Sequence, residues 1–509
     1  MSRKIKSPKS TDNRAGLLKN LFWVFIVLYI LFSLLLFDPK LFTGGDNAVY
    51  INLAQSLVQG KGYRNIGQPG EPGHTQYPPG LPLLLSLVML IFGKSVIAMK
   101  LFIMLCGLAA FYLFSRISLR VFKEKRYLAV AAYLLVPIFI TYNHWILSEI
   151  PFLLANLATI YLILRAEEGK KSYYYPAFLC ANLAFFIRTT GIALIAAVLF
   201  YLIARRKFKE SLILLVSFLI LFFAWQVRNA HYSQTGGYLD QFLAKYFYQP
   251  ELGRIGIGDF FSRVAHNFFL YFFTILPQTL YSTIGARWLL AALGATALGL
   301  LVYGFILRRK EWSIFEFYLI FGLIFLLIWP EIWSSDRFLL PILPILLIYI
   351  LLGLLQLPAQ LRYLLPTLGS FFILVNLWSI FAQVRVAVAD NVEYLHGDRY
   401  AGYSEDWRRY FETIEWIRAN IPEDKVVMAR KPEFVYLLSS RKSFIYPFSS
   451  DPDKIRESIR QADFIILDNF FWSRTTQRVL LPVIQAEPNR FEVVYRSRPP
   501  EFYVLRIKK

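Results

Sequence analysis

Cysteine is nearly missing from this chain. The 509 residues hold two, Cys106 and Cys180. Both lie in apolar runs, which excludes a disulfide framework and a cysteine-built metal centre. Histidine is scarce as well. The five (His74, His144, His231, His266 and His396) are scattered, with no metal-ligand spacing among them. Acids are few, 34 Asp and Glu against 55 Lys and Arg, for a formal net charge of +21. Residues 384–509 contain 21 basic and 18 acidic residues, so they carry little of that excess; the rest of the chain has 34 basic and 16 acidic. The surplus therefore sits among the apolar runs, as a positive-inside bias does, and not on a nucleic-acid surface. The basic stretch MSRKIKSPKSTDNRAGLLKN has no small-residue cleavage site ahead of the first apolar run. That run is read as an uncleaved first span.

What is abundant is apolar: 56% of residues are hydrophobic and 17% aromatic, in recurring long runs. The expected fold is a polytopic α-helical membrane protein with a small α/β domain at its C-terminal end. The first span runs from about Leu17 to Phe37, with the basic flank in the cytoplasm and the loop 38–80 outside. The run Leu81–Phe92 is too short to cross comfortably, and reading it as re-entrant or interfacial keeps Arg116, Arg120, Lys123, Lys125 and Arg126 inside. Spans are then expected near 96–115, 127–146 and 150–165, with two short ones between 173 and 204 broken at Arg188. Further spans fall near 211–227, 288–307, 313–329, 338–356 and 363–382. That makes about eleven, in a plasma (inner) membrane, dividing the chain into a transmembrane domain 1–383 and an extracytoplasmic α/β domain 384–509. In the latter, Asp406–Asn420 and Asp451–Gln461 read as helices, with Asp451 as a cap. Val426–Met428 and Phe464–Leu467 read as strands, and Phe491–Tyr495 with Phe502–Ile507 as a hairpin. It contains no glycine-rich phosphate loop.

The stretch 43–80 is the longest polar segment in the first 230 residues. It opens Gly44-Gly45-Asp46-Asn47 and continues as an amphipathic helix. Tyr50, Ile51, Ala54, Leu57 and Val58 fall on one face, and Gly60 and Gly62 end it. Such a helix is expected to lie along the membrane surface. Asp46 stands at its start, where it serves either as an N-cap or as a reactive carboxylate. On the expected topology Asp46, Glu149, Arg188, Arg228, Glu331, Asp336 and Arg337 all fall at span ends on the outer face. Ionisable groups at such depths are costly and mark function unless they only snorkel to the surface.

Six motifs, Gly-Gly-Asp46-Asn47-Ala-Val-Tyr50, Tyr77-Pro-Pro-Gly-Leu-Pro82, Leu147-Ser-Glu149, Arg188-Thr-Thr-Gly191, Trp225-Gln-Val-Arg228-Asn229 and Asp336-Arg-Phe-Leu-Leu-Pro341, occur in this order. Together they resemble the GT-C class of integral-membrane glycosyltransferases, in the branch of dolichyl-phosphate-mannose protein mannosyltransferases and the bacterial lipid A aminoarabinose transferase. The resemblance covers about residues 17–385. It implies that a sugar carried on a polyprenyl phosphate is transferred, with inversion, to a protein, lipid or polysaccharide acceptor at the extracytoplasmic face. It further implies Asp46 as base and Glu149 as a sugar-holding acid. Arg337, with Arg228 or Arg188, would hold the phosphate, and Tyr77 and His74 would line the acceptor side. No cofactor is required. Family members often carry a second acid after the first, and Asn47 at that position removes support for a divalent cation held by paired carboxylates. A transporter or lipid flippase is the alternative, although no inverted repeat is seen and the charges gather on one face. A membrane scaffold that merely presents the C-terminal domain is a third reading, and it has no need of a conspicuous acid in the first loop.

Overall fold

The computed structural model describes residues 10–44, 46–232, 238–249 and 252–508. Most of them are helical. Five helical stretches are long and apolar enough to cross a membrane: Val96–Leu135, Glu149–Glu167, Phe208–His231, Arg287–Leu307 and Ala359–Leu395. Shorter apolar helices cover Leu21–Leu35, Gly80–Phe92, Thr189–Ala204, Ile314–Ile328 and Leu343–Leu355. A chain of this composition is an integral membrane protein.

Two helices differ from their expected form. The expected span near 127–146 is a helix only over Arg126–Leu135, followed by short turns over Ile138–Thr141 and Tyr142–His144. Pro137 is the cause: it lacks an N–H and its ring clashes with the preceding turn, and Val136 before it is extended. The last apolar helix, expected to end near 382, runs unbroken over Leu364–Leu395. Nothing in 383–395 breaks a helix, since neither Pro nor Gly occurs before Gly397. The break at Arg188 is present as expected. The helix Tyr174–Ile187 stops, Arg188 is extended, and a tight turn over Thr189–Gly191 starts the helix Ile192–Ala204.

By packing, the chain forms two compact units. One holds residues up to Asp38, Lys100–Phe218 and Val264–Ala389; the other holds Pro39–Met99, Leu219–Arg263 and Asp390–Lys509. This grouping cuts across a division at 383/384, because the first loop packs on the C-terminal residues. Ala48 of the loop sits in the same core as Trp407, Tyr410, Phe411, Ile414 and Val427. The Gly67 carbonyl accepts from the Ser443 N–H at 2.7 Å.

That second unit contains a five-stranded sheet of β1 (Val426–Met428), β2 (Lys442–Phe444), β3 (Phe464–Leu467), β4 (Phe491–Arg496) and β5 (Tyr503–Ile507), in the order β2-β1-β3-β5-β4. β1 is parallel to β2 and β3, while β5 runs antiparallel to β3 and β4. The helix Glu405–Asn420 lays Trp407, Tyr410, Phe411, Ile414 and Ile417 on one side at helical spacing and buries them against the sheet. Asp451 caps the helix Pro452–Ile459, its Oδ1 accepting from the Asp453 N–H at 3.0 Å.

Candidate active site

The first loop begins with the helix Asn47–Val58. An interfacial helix would keep a polar face in water. Here Asn47, Asn52 and Ser56 are buried along with Tyr50, Ile51 and Ala54, while Val58 of the expected apolar face is 38% exposed. The helix packs between Gly80–Phe92 and the helix Pro432–Ser439, so both faces meet protein. Two of its polar groups find acceptors there: the Asn52 amide donates to the Glu433 carbonyl at 3.0 Å and the Ser56 hydroxyl to that of Gly62 at 2.7 Å. Gly60 and Gly62 end it at φ +70° and +78°, a conformation natural to glycine.

Asp46 occupies the N-cap position, yet its side chain makes no capping hydrogen bond. Its Oδ1 instead accepts from the Tyr77 hydroxyl at 2.8 Å. The loop is closed by the neighbouring amide, since Asn47 Nδ2 donates to the carbonyls of Phe42 at 2.5 Å and Gly44 at 3.0 Å. The carboxylate is therefore not consumed in starting the helix.

Tyr77 is itself held on a small hairpin. Arg64 and Gly73 form an antiparallel bridge, and the His74 N–H donates to the Tyr63 carbonyl at 3.0 Å. The His74 ring stacks on Tyr77 with centroids 5.3 Å apart. His74 Nε2 accepts from the Tyr77 N–H at 2.8 Å, so Nδ1 carries the proton and donates to Asn65 Oδ1, also at 2.8 Å. Arg228 clamps the same hairpin. It donates to the carbonyls of His74 at 2.5 Å and Tyr63 at 2.6 Å, and to Asn229 Oδ1 at 2.8 Å. Its guanidinium lies over the rings of Trp225, Tyr63 and Tyr232. In this arrangement Arg228 braces the loop that presents Tyr77.

Burial, with the nearby Arg228 charge, pushes the His74 imidazole down to about 3. The unfolded chain binds a proton below about 6.5 that the folded chain refuses until about 3. Stability from this group is thus full above about pH 6.5 and falls as the pH drops towards 3. The expected slope is about 1.4 kcal/mol per pH unit. A thermal-unfolding series in detergent checks this: His74→Gln should flatten the slope between pH 6.5 and 4, and an unchanged slope would show that other groups set it.

The other unit brings a second set together. Glu149 is the first residue of the helix Glu149–Glu167 and is fully buried. Its Oε1 accepts from Arg188 at 2.5 Å and from Arg337 Nε at 2.6 Å; its Oε2 has no hydrogen-bond partner. Arg188 also donates to Ser148 Oγ at 2.9 Å and lies over the Phe338 ring. The Tyr142 hydroxyl donates to Asp336 Oδ1 at 3.3 Å, and burial pushes the Asp336 carboxyl up. A cavity of about 30 Å³ opens beside Arg188, Thr190 and Phe338, room for one or two waters. One carboxylate oxygen shared by two guanidiniums fixes both arginines; the acid is fully buried, whereas Arg188 and Arg337 are partly exposed.

Of the residues singled out from sequence, the structure gathers Asp46, Tyr77, His74 and Arg228 in one unit, and Glu149, Arg188, Arg337 and Asp336 in the other. Glu331 joins neither set; it is half-exposed and lies 3.8 Å from His266 Nε2. Sequence reasoning missed Asn65 and Tyr63, which orient His74 and the hairpin, and Tyr142, which holds Asp336. The paired Gly70 and Gly73 around the hairpin were a usable signal for the first two. Tyr142 gives none, because it comes within reach only through the break at Pro137.

Residues 76–227 match the family described as dolichyl-phosphate-mannose-protein mannosyltransferase. The comparison with curated protein sequences finds no match. Among solved structures, the chain is similar to ArnT from Cupriavidus metallidurans bound to undecaprenyl phosphate, at 12% identity and a TM-score of 0.61, covering 95% of this chain and 97% of that one. The apo state of the same protein matches at 12% identity and 0.60, over 96% and 98%. The arabinofuranosyltransferase AftD from Mycobacteria matches at 14% identity and 0.50, over 95% of this chain but 41% of that longer one. At such identities the shared property is the fold. The chain thus resembles the GT-C class of glycosyltransferases. Its fold is similar to that of ArnT over nearly the whole length of both chains.

Proposed function

We propose that this protein is a glycosyltransferase that moves a sugar from a polyprenyl-phosphate donor to an acceptor at the extracytoplasmic face of the plasma (inner) membrane, with inversion. The observation that carries this reading is the Asp46 carboxylate, standing at a helix start without capping it and aimed by Tyr77. In the reaction the acceptor hydroxyl oxygen attacks the anomeric carbon. Asp46 takes the hydroxyl proton as the new C–O bond forms. The bond from the anomeric carbon to the phosphate oxygen breaks, and polyprenyl phosphate leaves with the electron pair. A phosphate leaving group needs cations more than an acid, and Arg337 and Arg188 supply fixed, always-charged donors. Glu149 is a positioning residue that holds those two arginines. Tyr77 and His74 form the acceptor side, and no step requires a metal.

Incubating membranes with a panel of radiolabelled polyprenyl-phosphate sugars tests the reading. Label is expected in an acceptor fraction, and its identity names sugar and acceptor. Movement of donor across the bilayer with no transfer would establish the transporter or flippase alternative. The topology has its own check. Single cysteines at Gln68 and in the C-terminal domain should react with an impermeant thiol reagent from outside, and one at Lys123 should not. Outside labelling at Lys123 without labelling at Gln68 would reverse the orientation.

A further inference from the structure

The C-terminal domain has chemistry that the transfer reaction does not use. β1 lies between β2 and β3, so the chain leaves β1 to one side for β2 and returns to the other side for β3. In parallel arrangements this is the switch point at which the loops after two neighbouring strands part and open a crevice at their carboxyl ends. The loop after β1 supplies Ala429-Arg430-Lys431, and the loop after β3 supplies Asp468 to Trp472.

The side chains there are connected and largely buried. Arg430, 8% exposed, donates through Nε to Thr475 Oγ1 at 2.9 Å. Tyr446 lies 2.6 Å from Thr476 Oγ1, and Thr476 donates to Asp468 Oδ2. The Arg430 guanidinium is held between the rings of Phe448 at 5.0 Å and Trp472 at 5.2 Å, and Lys431 lies over the same indole at 5.5 Å. Asp468, 3% exposed, leaves Oδ1 without a hydrogen-bond partner. A buried carboxylate oxygen that lacks a donor is costly, and a ligand hydroxyl is one group that can supply the donor. Trp472 and Phe471 are 48% and 64% exposed, a large aromatic surface left open to solvent.

We propose that this crevice binds a neutral saccharide of the acceptor, with Asp468 accepting from a ring hydroxyl, Arg430 donating to another, and the Trp472 indole under the sugar's C–H face; this specifies the acceptor and rests on the transferase reading above. A hydroxyl both donates and accepts, so it answers a carboxylate and a guanidinium side by side. An anion does not, because Asp468 repels it. Nor do the loops carry the glycine-rich backbone cradle that a phosphate uses. Indole and guanidinium stacked together form a rigid, flat platform. The site would hold a glycan acceptor by a part remote from the reacting hydroxyl, raising its local concentration.

The test uses the full chain in detergent on an array of immobilised neutral oligosaccharides of gluco, manno, galacto and arabino configuration. Retention on a subset is expected. Trp472→Ala, at a half-exposed position, and Asp468→Asn, which keeps shape, should each lower it at least tenfold. Transfer assays on the parent and both crevice variants separate the two readings: glycan retention without transfer counts against the transferase reading, and transfer without retention counts against this site. The proposal is overturned if the parent protein is retained on no glycan, if both crevice variants bind like the parent, or if inorganic pyrophosphate displaces the glycan.

Discussion

Asp46→Asn should reduce transfer by roughly two to four orders of magnitude, the usual cost of a lost general base, with expression and folding intact. The substitution is well posed. Asparagine caps a helix as effectively as aspartate, and the Asp46 side chain makes no cap to lose. Its amide oxygen still accepts from the Tyr77 hydroxyl, so the 2.8 Å contact has a replacement. What asparagine cannot do is take a proton from an acceptor hydroxyl. Initial rates for the purified variant, with its melting temperature, give the answer. Near-normal transfer in a folded variant would remove Asp46 from the chemistry.

Arg337→Ala should lower kcat/KM for the donor about a hundredfold, the scale found when one preorganised donor to a developing negative charge is deleted. Arg337→Lys should fall between that and the parent. Lysine keeps the charge and still pairs with Glu149, now 2.6 Å from Arg337 Nε, but it has no planar fork for phosphate oxygens. An arginine that only pairs or snorkels tolerates lysine with little change. The lysine variant is therefore the decisive one. Donor kinetics unchanged in both variants would leave Arg188, which shares the Glu149 oxygen, as the phosphate-holding group. Arg228 is the poorer substitute, because its donors already hold the carbonyls of Tyr63 and His74.

Local signals placed much of this. Apolar run lengths and the helix-breaking Arg188-Thr-Thr-Gly191 put helices where they are found. The apolar strand Phe464–Leu467, the strand Phe491–Tyr495 and the Asp451-Pro452 cap were legible for the same reason: each depends on residues within a few positions of itself. The helix after Gly45 was legible too, but not its surroundings. Its polar face reads as exposed until the Glu433 carbonyl, 381 residues further on, arrives to accept from Asn52.

Composition, period and capping are properties of short segments, and they suffice to mark a membrane protein with charged groups at its span ends and a helix that opens at Asp46. What each charge does depends on packing between distant segments. Asp46 meets Tyr77, Arg228 turns to the hairpin, and Arg188 and Arg337 converge on one oxygen of Glu149. Each of these outcomes is a competition among partners far apart in the chain, and an ionisable side chain in a desolvated place takes whichever partner the packing brings within hydrogen-bond reach.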